Sequence, residues 1–328
     1  MGRASLNDQI NSGLPRVAVT LGDPAGVGPE IVARVCHDPD VRKAVELVVV
    51  GRRMLLAAGA IACGMAMPEV PVVETSEAQE IRPGQPSGRT GRQSGAFIEK
   101  AVEMCVSGQV QAMTTAPISK EALQAAGYPD TGHTSLLGRL LGVPRPVMML
   151  AGSRLRVVLA TIHVALREVP SLLTQEAIVE VSRVAHNDLQ RYFGLDKPRI
   201  AVAALNPHAG EAGMFGDEEF QVIKPAIAAL QQEGVDASGP HPPDTIFWRA
   251  VKGQFDLVVC MYHDQGLIPL KLLHFEDGVN VTLGLPIIRT SVDHGTAYDL
   301  AGQGKANPAS MKAAILMAAQ MVRNSRRV

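Results

Sequence analysis

Aromatic side chains are scarce in this chain. They make up 4% of its 328 residues, with one tryptophan, Trp248. The core must therefore be aliphatic, which suits parallel strands rich in Val, Ile and Leu and buried on both faces. Cysteine is sparse too: Cys36, Cys63, Cys105 and Cys260 form no C-x-x-C pair, and they read as buried free thiols in a reducing compartment. Net charge is nearly absent, with 31 Lys+Arg against 32 Asp+Glu and a formal charge of -1. That argues against broad electrostatic binding to nucleic acid or membrane, although a local basic pocket stays open. The longest stretch free of charged or strongly polar side chains, Leu55 to Met67, is interrupted by glycine and too short to span a bilayer. The polar start MGRASLNDQINSG lacks an apolar h-region and reads as a short tail, not a signal peptide. A cytoplasmic protein is the expectation. The glycine motifs of nucleotide folds are incomplete as well. G-x-G-x-x-G over 26–31 would need glycine where Ile31 stands, and no Lys-Ser/Thr pair completes a Walker A loop.

What is present is globular. Hydrophobic residues reach 46%, charged residues 19%, with 31 Gly and 22 Pro, and the length suits one large or two moderate domains with a full core. Arg16–Thr20 (RVAVT) and Glu46–Val50 (ELVVV) read as buried strands, each followed by a helix. Ser76–Gly95 reads as a long polar loop running into a helix from about Gly91 to Val106, followed by a strand at Gln111–Thr115 and a short helix at Lys120–Ala126. Pro146–Ala151 and Leu155–Ile162 flank a Gly152–Ser153 turn and predict an antiparallel hairpin. Thr174 is placed to cap a helix to about Tyr192. Arg199–Leu205 and Asp256–Met261 are further strands, Asp217–Glu233 is a helix by its apolar spacing, and a last helix covers about Ser310 to Val322. Strands alternating with helices imply an α/β fold with a mostly parallel sheet.

In open α/β sheets, ligands gather at the carboxyl ends of strands. Three predicted strands deliver a histidine there: His163 in TIH, His208 in NPHAG and His263 in YHDQG. A single histidine at such a place is usually an ordinary loop or core residue. Three at equivalent ends suit a catalytic divalent metal, zinc or a similar ion. Asp264 adjoins His263 and Asp244 lies in a stiff PPDT loop; each could fix a histidine tautomer or act as a base, and equally each could be turn chemistry or a cap. Lys271, Asn280 and Arg289 fall within KLLHFEDGVNVTLGLPIIRT. Arg and Lys converging with an amide is one way to hold a phosphate or carboxylate, but spacing alone favours a solvated surface. His133 and Thr134, in TGHT before a helix, offer an anion site at a helix N-terminus or an ordinary turn. GDPAGVGPE at 22–30 indicates a tight loop with close backbone approach.

Taken in order, GDPAGVGPE, TAPISK, TGHT, TIHVALR, LNPHAGE, PPDT, MYHDQG, GVNVTLGLPIIRTSVDHGTA and AGQGKA resemble the 4-hydroxythreonine-4-phosphate dehydrogenase (PdxA) family of vitamin B6 biosynthesis, from about Arg16 onward. The resemblance implies two α/β/α domains flanking a cleft, similar to isocitrate and isopropylmalate dehydrogenases and not to a Rossmann domain. One domain would cover 1–128 with 282–328, and the other, 129–281, would carry the metal ligands and a dimer interface. It implies His163, His208 and His263 as ligands of one divalent ion (Zn, Mg or Co), drawn from both subunits of a homodimer. His133, Thr134, Lys271, Asn280 and Arg289 match substrate-binding positions, largely around a phosphate. Asp244 and Asp264 match acidic residues of the active site. The stretch HGTAYDLAGQGKANP at 294–308 is similar to the adenosine loop of isopropylmalate dehydrogenases. It implies His294, Gly295, Asp299 and Asn307 as residues for NAD, with NADP as the alternative; Asp299 at the ribose would favour NAD. The implied reaction is NAD-dependent oxidation of 4-phosphonooxy-L-threonine at C3 and decarboxylation to 3-amino-2-oxopropyl phosphate. Relatives that oxidise erythronate or threonate 4-phosphate are the nearest alternative. Relatives acting on aromatic dihydrodiols, and a metal hydrolase or aldolase, are more distant ones.

Overall fold

The computed structural model describes residues 13–75 and 81–326; the N-terminal tail and part of the 76–95 loop read above lie outside the described residues. Its strands are β1 (Arg16–Thr20), β2 (Glu46–Gly51), β3 (Val72–Glu74), β4 (Ala112–Thr115), β5 (Val147–Ala151), β6 (Arg156–Leu159), β7 (Ile200–Ala203), β8 (Ala237–His241), β9 (Leu257–Cys260), β10 (Val279–Leu283) and β11 (Ile288–Val292). The chain divides into two compact units, Met1–Pro144 with Leu285–Arg323, and Arg145–Gly284 with Asn324–Val328. The segment 129–144, expected with the second domain, belongs to the first unit, where the helix His133–Leu141 packs against the helix Gly88–Val106.

In the first unit the strand order is β3-β2-β1-β4-β11, and every pairing is parallel. Val17, Ala18 and Val19 of β1 and Val48, Val49 and Val50 of β2 have no exposed surface. Strands covered on both faces can be continuously apolar, as the sequence reads. The helix Gly88–Val106 starts a turn earlier than its apolar spacing suggests. Ser87 and Thr90 form a reciprocal capping box, Thr90 N donating to Ser87 Oγ at 3.3 Å and Ser87 N to Thr90 Oγ1 at 3.1 Å. The helix Gly28–His37 leaves β1 through a very tight loop. A Cβ on Gly28 would lie 2.0 Å from the Leu21 carbonyl oxygen, so only glycine fits.

The second unit orders its strands β10-β5-β6-β9-β7-β8. β5 and β6 form the expected antiparallel hairpin, and β10 pairs antiparallel to β5. β6, β9, β7 and β8 then run parallel to one another. Thr174 Oγ1 accepts from Ala177 N at 3.1 Å and caps the helix Gln175–Phe193 as predicted. The helix expected over 217–233 is interrupted: a wider π-type turn at Glu219–Ile223 precedes the regular Lys224–Gln232. Leu150, Val157, Leu159, Ala201, Val258 and Leu270 lie in its aliphatic core.

Candidate active site

In the second unit the parallel run β6-β9-β7-β8 decides what lies together. All four strands end on the same side, and the residues beyond those ends are His163 (β6), His263 (β9), His208 (β7) and Asp244 (β8). The ends are tied to one another by polar groups that the sequence reading did not single out. Thr161 donates both its N–H, at 3.2 Å, and its hydroxyl, at 2.7 Å, to the Met261 carbonyl, joining the β6 and β9 exits. Gln265, 7% exposed, accepts from Met261 N at 2.7 Å and donates to the Ala204 carbonyl at 2.7 Å, joining β9 to β7. Ala204 N donates to the His241 carbonyl at 2.8 Å, joining β7 to β8.

His163 and His263 are brought side by side, with ring centroids 5.5 Å apart. Two imidazoles on one tetrahedral ion, with metal–nitrogen bonds of about 2.1 Å, have centroids about 5.3 Å apart, so the observed pair fits a shared divalent cation. His263 Nδ1 lies 2.8 Å from Asp264 Oδ1. That pairing puts the proton on Nδ1 and leaves the Nε2 lone pair for a ligand. Asp264 is thus placed to set the tautomer. Asp244 is exposed in the first turn of the helix Pro243–Val251, and it makes no capping bond there. Among the described residues no three His, Cys, Asp or Glu side chains are grouped to hold an ion, so the chain gathers two of the three predicted histidines and leaves His208 apart. His208 is exposed and sits in a left-handed turn: His208, Ala209, Glu211 and Ala212 have φ of 51, 56, 42 and 55°. Each such non-glycine residue costs about 1–2 kcal/mol.

Of the remaining second-unit residues, Lys271 lies on the helix His263–His274, its Nζ 6.0 Å from the Phe275 ring centre. Asn280 lies on β10, with its side-chain oxygen buried and accepting no hydrogen bond among the described residues.

The first unit holds a separate buried Arg–His cluster. Arg289 on β11 is 1% exposed and donates to Thr115 Oγ1 of β4 at 2.8 Å. Strand alternation explains this: the neighbouring Thr290 points to the other face, where its hydroxyl donates to the Ala314 carbonyl of the last helix, Ala309–Ser325. Burial pushes the Arg289 guanidinium down to about 9. His133, first residue of its helix, is held well below the usual imidazole range by burial and then by the charge of Arg289. Its Nε2 is buried without a hydrogen-bond partner among the described residues. Thr134 follows it in the first turn. A buried cation beside a neutral imidazole with an unused nitrogen has the chemistry to bind an anionic, hydrogen-bonding group.

The loop 293–308, which follows β11, packs on GDPAGVGPE. Asp23, fully buried, accepts from Ala25 N at 2.9 Å, Tyr298 OH at 3.0 Å and Thr90 OH at 3.2 Å, and burial raises its pKa. Glu30, 2% exposed, accepts from the backbone N–H of Gly302 and, at 2.7 Å, from that of Gly304. The glycine spacing of GDPAGVGPE flagged the tight loop but not these two carboxylates. His294 Nδ1 lies 2.9 Å from the Gly295 carbonyl, the Asp299 carbonyl accepts from Gln303, and Asn307 Oδ1 accepts from Ala309 N at the start of the last helix.

Parallel strands of the second unit that end together on His163, His263, His208 and Asp244 are the frame of an α/β enzyme for a small polar substrate. Among the described residues no helix is long and apolar enough to cross a membrane. The model of the family "Pyridoxal phosphate biosynthetic protein PdxA" matches residues 42–318. The chain is 55% identical to the 4-hydroxythreonine-4-phosphate dehydrogenase of Geobacter metallireducens, over 94% of this chain and 96% of that one. Among solved structures it is similar to 4-hydroxythreonine-4-phosphate dehydrogenase from Klebsiella pneumoniae (TM-score 0.88, 41% identity, 95% and 99% covered). A terephthalate 1,2-cis-dihydrodiol dehydrogenase from Burkholderia xenovorans is more distant (TM-score 0.67, 29% identity, 93% and 98% covered). The chain belongs to the PdxA family of dehydrogenases.

Proposed function

We propose that the protein oxidises 4-phosphonooxy-L-threonine at C3 with NAD⁺ and a divalent metal, and that the β-keto acid so formed loses CO₂ to give 3-amino-2-oxopropyl phosphate. The observation that carries this reading is the His163–His263 pair with its 5.5 Å spacing, in a chain 55% identical to a relative named for that substrate. His163 and His263 would hold the ion, and His208 from a second copy of the chain would supply the third imidazole. A second copy is supported by apolar groups left in solvent in this unit. Ile268, Leu272 and Phe275 form a stripe at helical spacing, 65%, 84% and 79% exposed, and Met214 and Trp248 are also exposed. Held by these histidines, a divalent ion would supply Lewis acidity at the substrate's 3-hydroxyl, and a bound nicotinamide would supply the hydride acceptor for C3.

The chain's own residues do the rest. Asp264 keeps His263 in the ligating tautomer. Arg289, with His133 and Thr134, binds an anionic oxygen of the substrate, and Lys271 adds a second cation. Asn280 offers its unused oxygen to a substrate O–H or N–H. Asp244, exposed beyond β8, is the group available to take the hydroxyl proton. His294, Gly295, Asp299 and Asn307 belong to the loop that holds the adenosine end of NAD, with Glu30 fixing its backbone and Asp23 its Tyr298 side chain.

The test follows NADH absorbance with purified protein, NAD⁺ and 4-phosphonooxy-L-threonine, with divalent metal in one arm and chelator in another. Metal-dependent NADH formation is expected. Silence with this substrate but turnover of D-erythronate 4-phosphate would replace the amino acid by a sugar acid. Silence with both would overturn the reading.

A further inference from the structure

We propose that Glu219 is a positioning residue for His208: its carboxylate clamps the left-handed turn that presents the imidazole. This rests on the reading of His208 as a metal ligand.

The turn is unfavourable by itself, because residues 208 to 212 all have positive φ and only one of them is glycine. Something must over-determine it. Glu219 has no exposed surface. Its Oε1 accepts from the backbone N–H groups of Leu205, at 2.9 Å, and Asn206, at 2.8 Å, which fixes the chain as it leaves β7. Its Oε2 accepts from Asn206 Nδ2 at 3.0 Å. That same amide donates to Glu218 Oε2 at 2.7 Å. The second oxygen also packs into the turn: a Cβ on Gly210 would stand 2.7 Å from Glu219 Oε2. The carboxylate therefore touches both the entry to the turn and its middle. Glu219 opens the π-type turn at Glu219–Ile223, a local widening often found where a helix serves a site. Glu219 is fully buried, and its hydrogen-bond partners are the Leu205 and Asn206 groups, so its effect passes through where His208 is held.

The test compares Glu219→Gln, Glu219→Ala and His208→Ala in the full-length protein, using Co²⁺ as the probe. The Gln variant keeps an oxygen for the two backbone donors but sets an NH₂ against the Asn206 amide, so it loses only part of the clamp. Loss of a supporting contact behind a ligand lowers metal affinity by about 10–100-fold. About 10-fold is expected for Gln and about 100-fold for Ala, with weakened Co²⁺ d–d bands. In metal-free protein, hydrogen exchange over 205–216 should quicken in the Gln variant, whose far-UV spectrum stays that of the parent. If His208→Ala binds Co²⁺ as the parent does, the ligand reading falls and the clamp with it. If His208→Ala is impaired while Glu219→Gln matches the parent in affinity and exchange, the clamp alone is overturned. Should the Ala variant fail to fold, the Gln variant decides.

Discussion

Replacing Arg289 with methionine should stabilise the free protein while disabling it. Arg289 is 1% exposed, and burial lowers its guanidinium from 12.5 to about 9. At about 1.4 kcal/mol per tenfold, burial then penalises the charged form by about 5 kcal/mol. Methionine has similar bulk and no charge, so that penalty disappears. Against it stand the lost polar contacts of the guanidinium, of which the hydrogen bond to Thr115 alone is worth about 1.5–3 kcal/mol for a charged donor. The net gain is at most about 2–3 kcal/mol. A chain of this length unfolds with an entropy of about 0.7 kcal/mol per degree, so Tm should rise by up to about 3–4 °C in calorimetry without substrate. Function moves the other way. Removing one member of a buried, hydrogen-bonded charge pair costs about 2–5 kcal/mol, so kcat/KM for the phosphorylated substrate should fall by about 30-fold or more. Substrate added to the parent should raise its Tm, and added to the variant should not. A variant with lower Tm and unchanged kcat/KM would refute this reasoning, because Arg289 would then be a structural group.

The same guanidinium gives a pH dependence. It is cationic below about 9 and neutral above, so kcat/KM should fall as pH rises through that value, and a profile flat to pH 10 would count against Arg289 as the anion's partner. His208→Ala should abolish metal-dependent turnover and leave the far-UV spectrum unchanged; full activity would sink the three-histidine site. Glu30→Ala leaves the N–H groups of Gly302 and Gly304 without their carboxylate, which costs about 2–4 kcal/mol. Its Tm should drop by about 3–6 °C and its KM for NAD⁺ should rise with little change in that for substrate; equal effects on both would detach this loop from the cofactor.

Much of this was legible in the sequence because it is local. β1, β2, β7 and β9 are unbroken apolar runs of the length of a strand, and burial on both faces permits nothing else there. The hairpin of β5 and β6 is marked by its glycine turn, and the helix after Thr174 by its cap. The histidines stand just past runs already recognisable as strands, so their place at strand ends followed from pattern alone. Motifs in order along the chain carried the family. β8 (ASGPH) is another matter, since it has no apolar alternation and is a strand only because β7 pairs with it. The neighbour order β6-β9-β7-β8 is likewise invisible in a linear pattern, yet it sets His163 beside His263. The burial of Arg289 is hidden for the same reason: spacing suggests a solvated charge, whereas a strand covered on both faces leaves it almost no surface. Glu219 and Glu30 look like ordinary helix carboxylates in sequence. Their partners are backbone N–H groups that folding brings from distant positions. The sequence determined the strands and the candidate residues at their ends; only the tertiary structure decided which of them meet, because strand order and buried polar pairing are set by contacts between segments far apart in the chain.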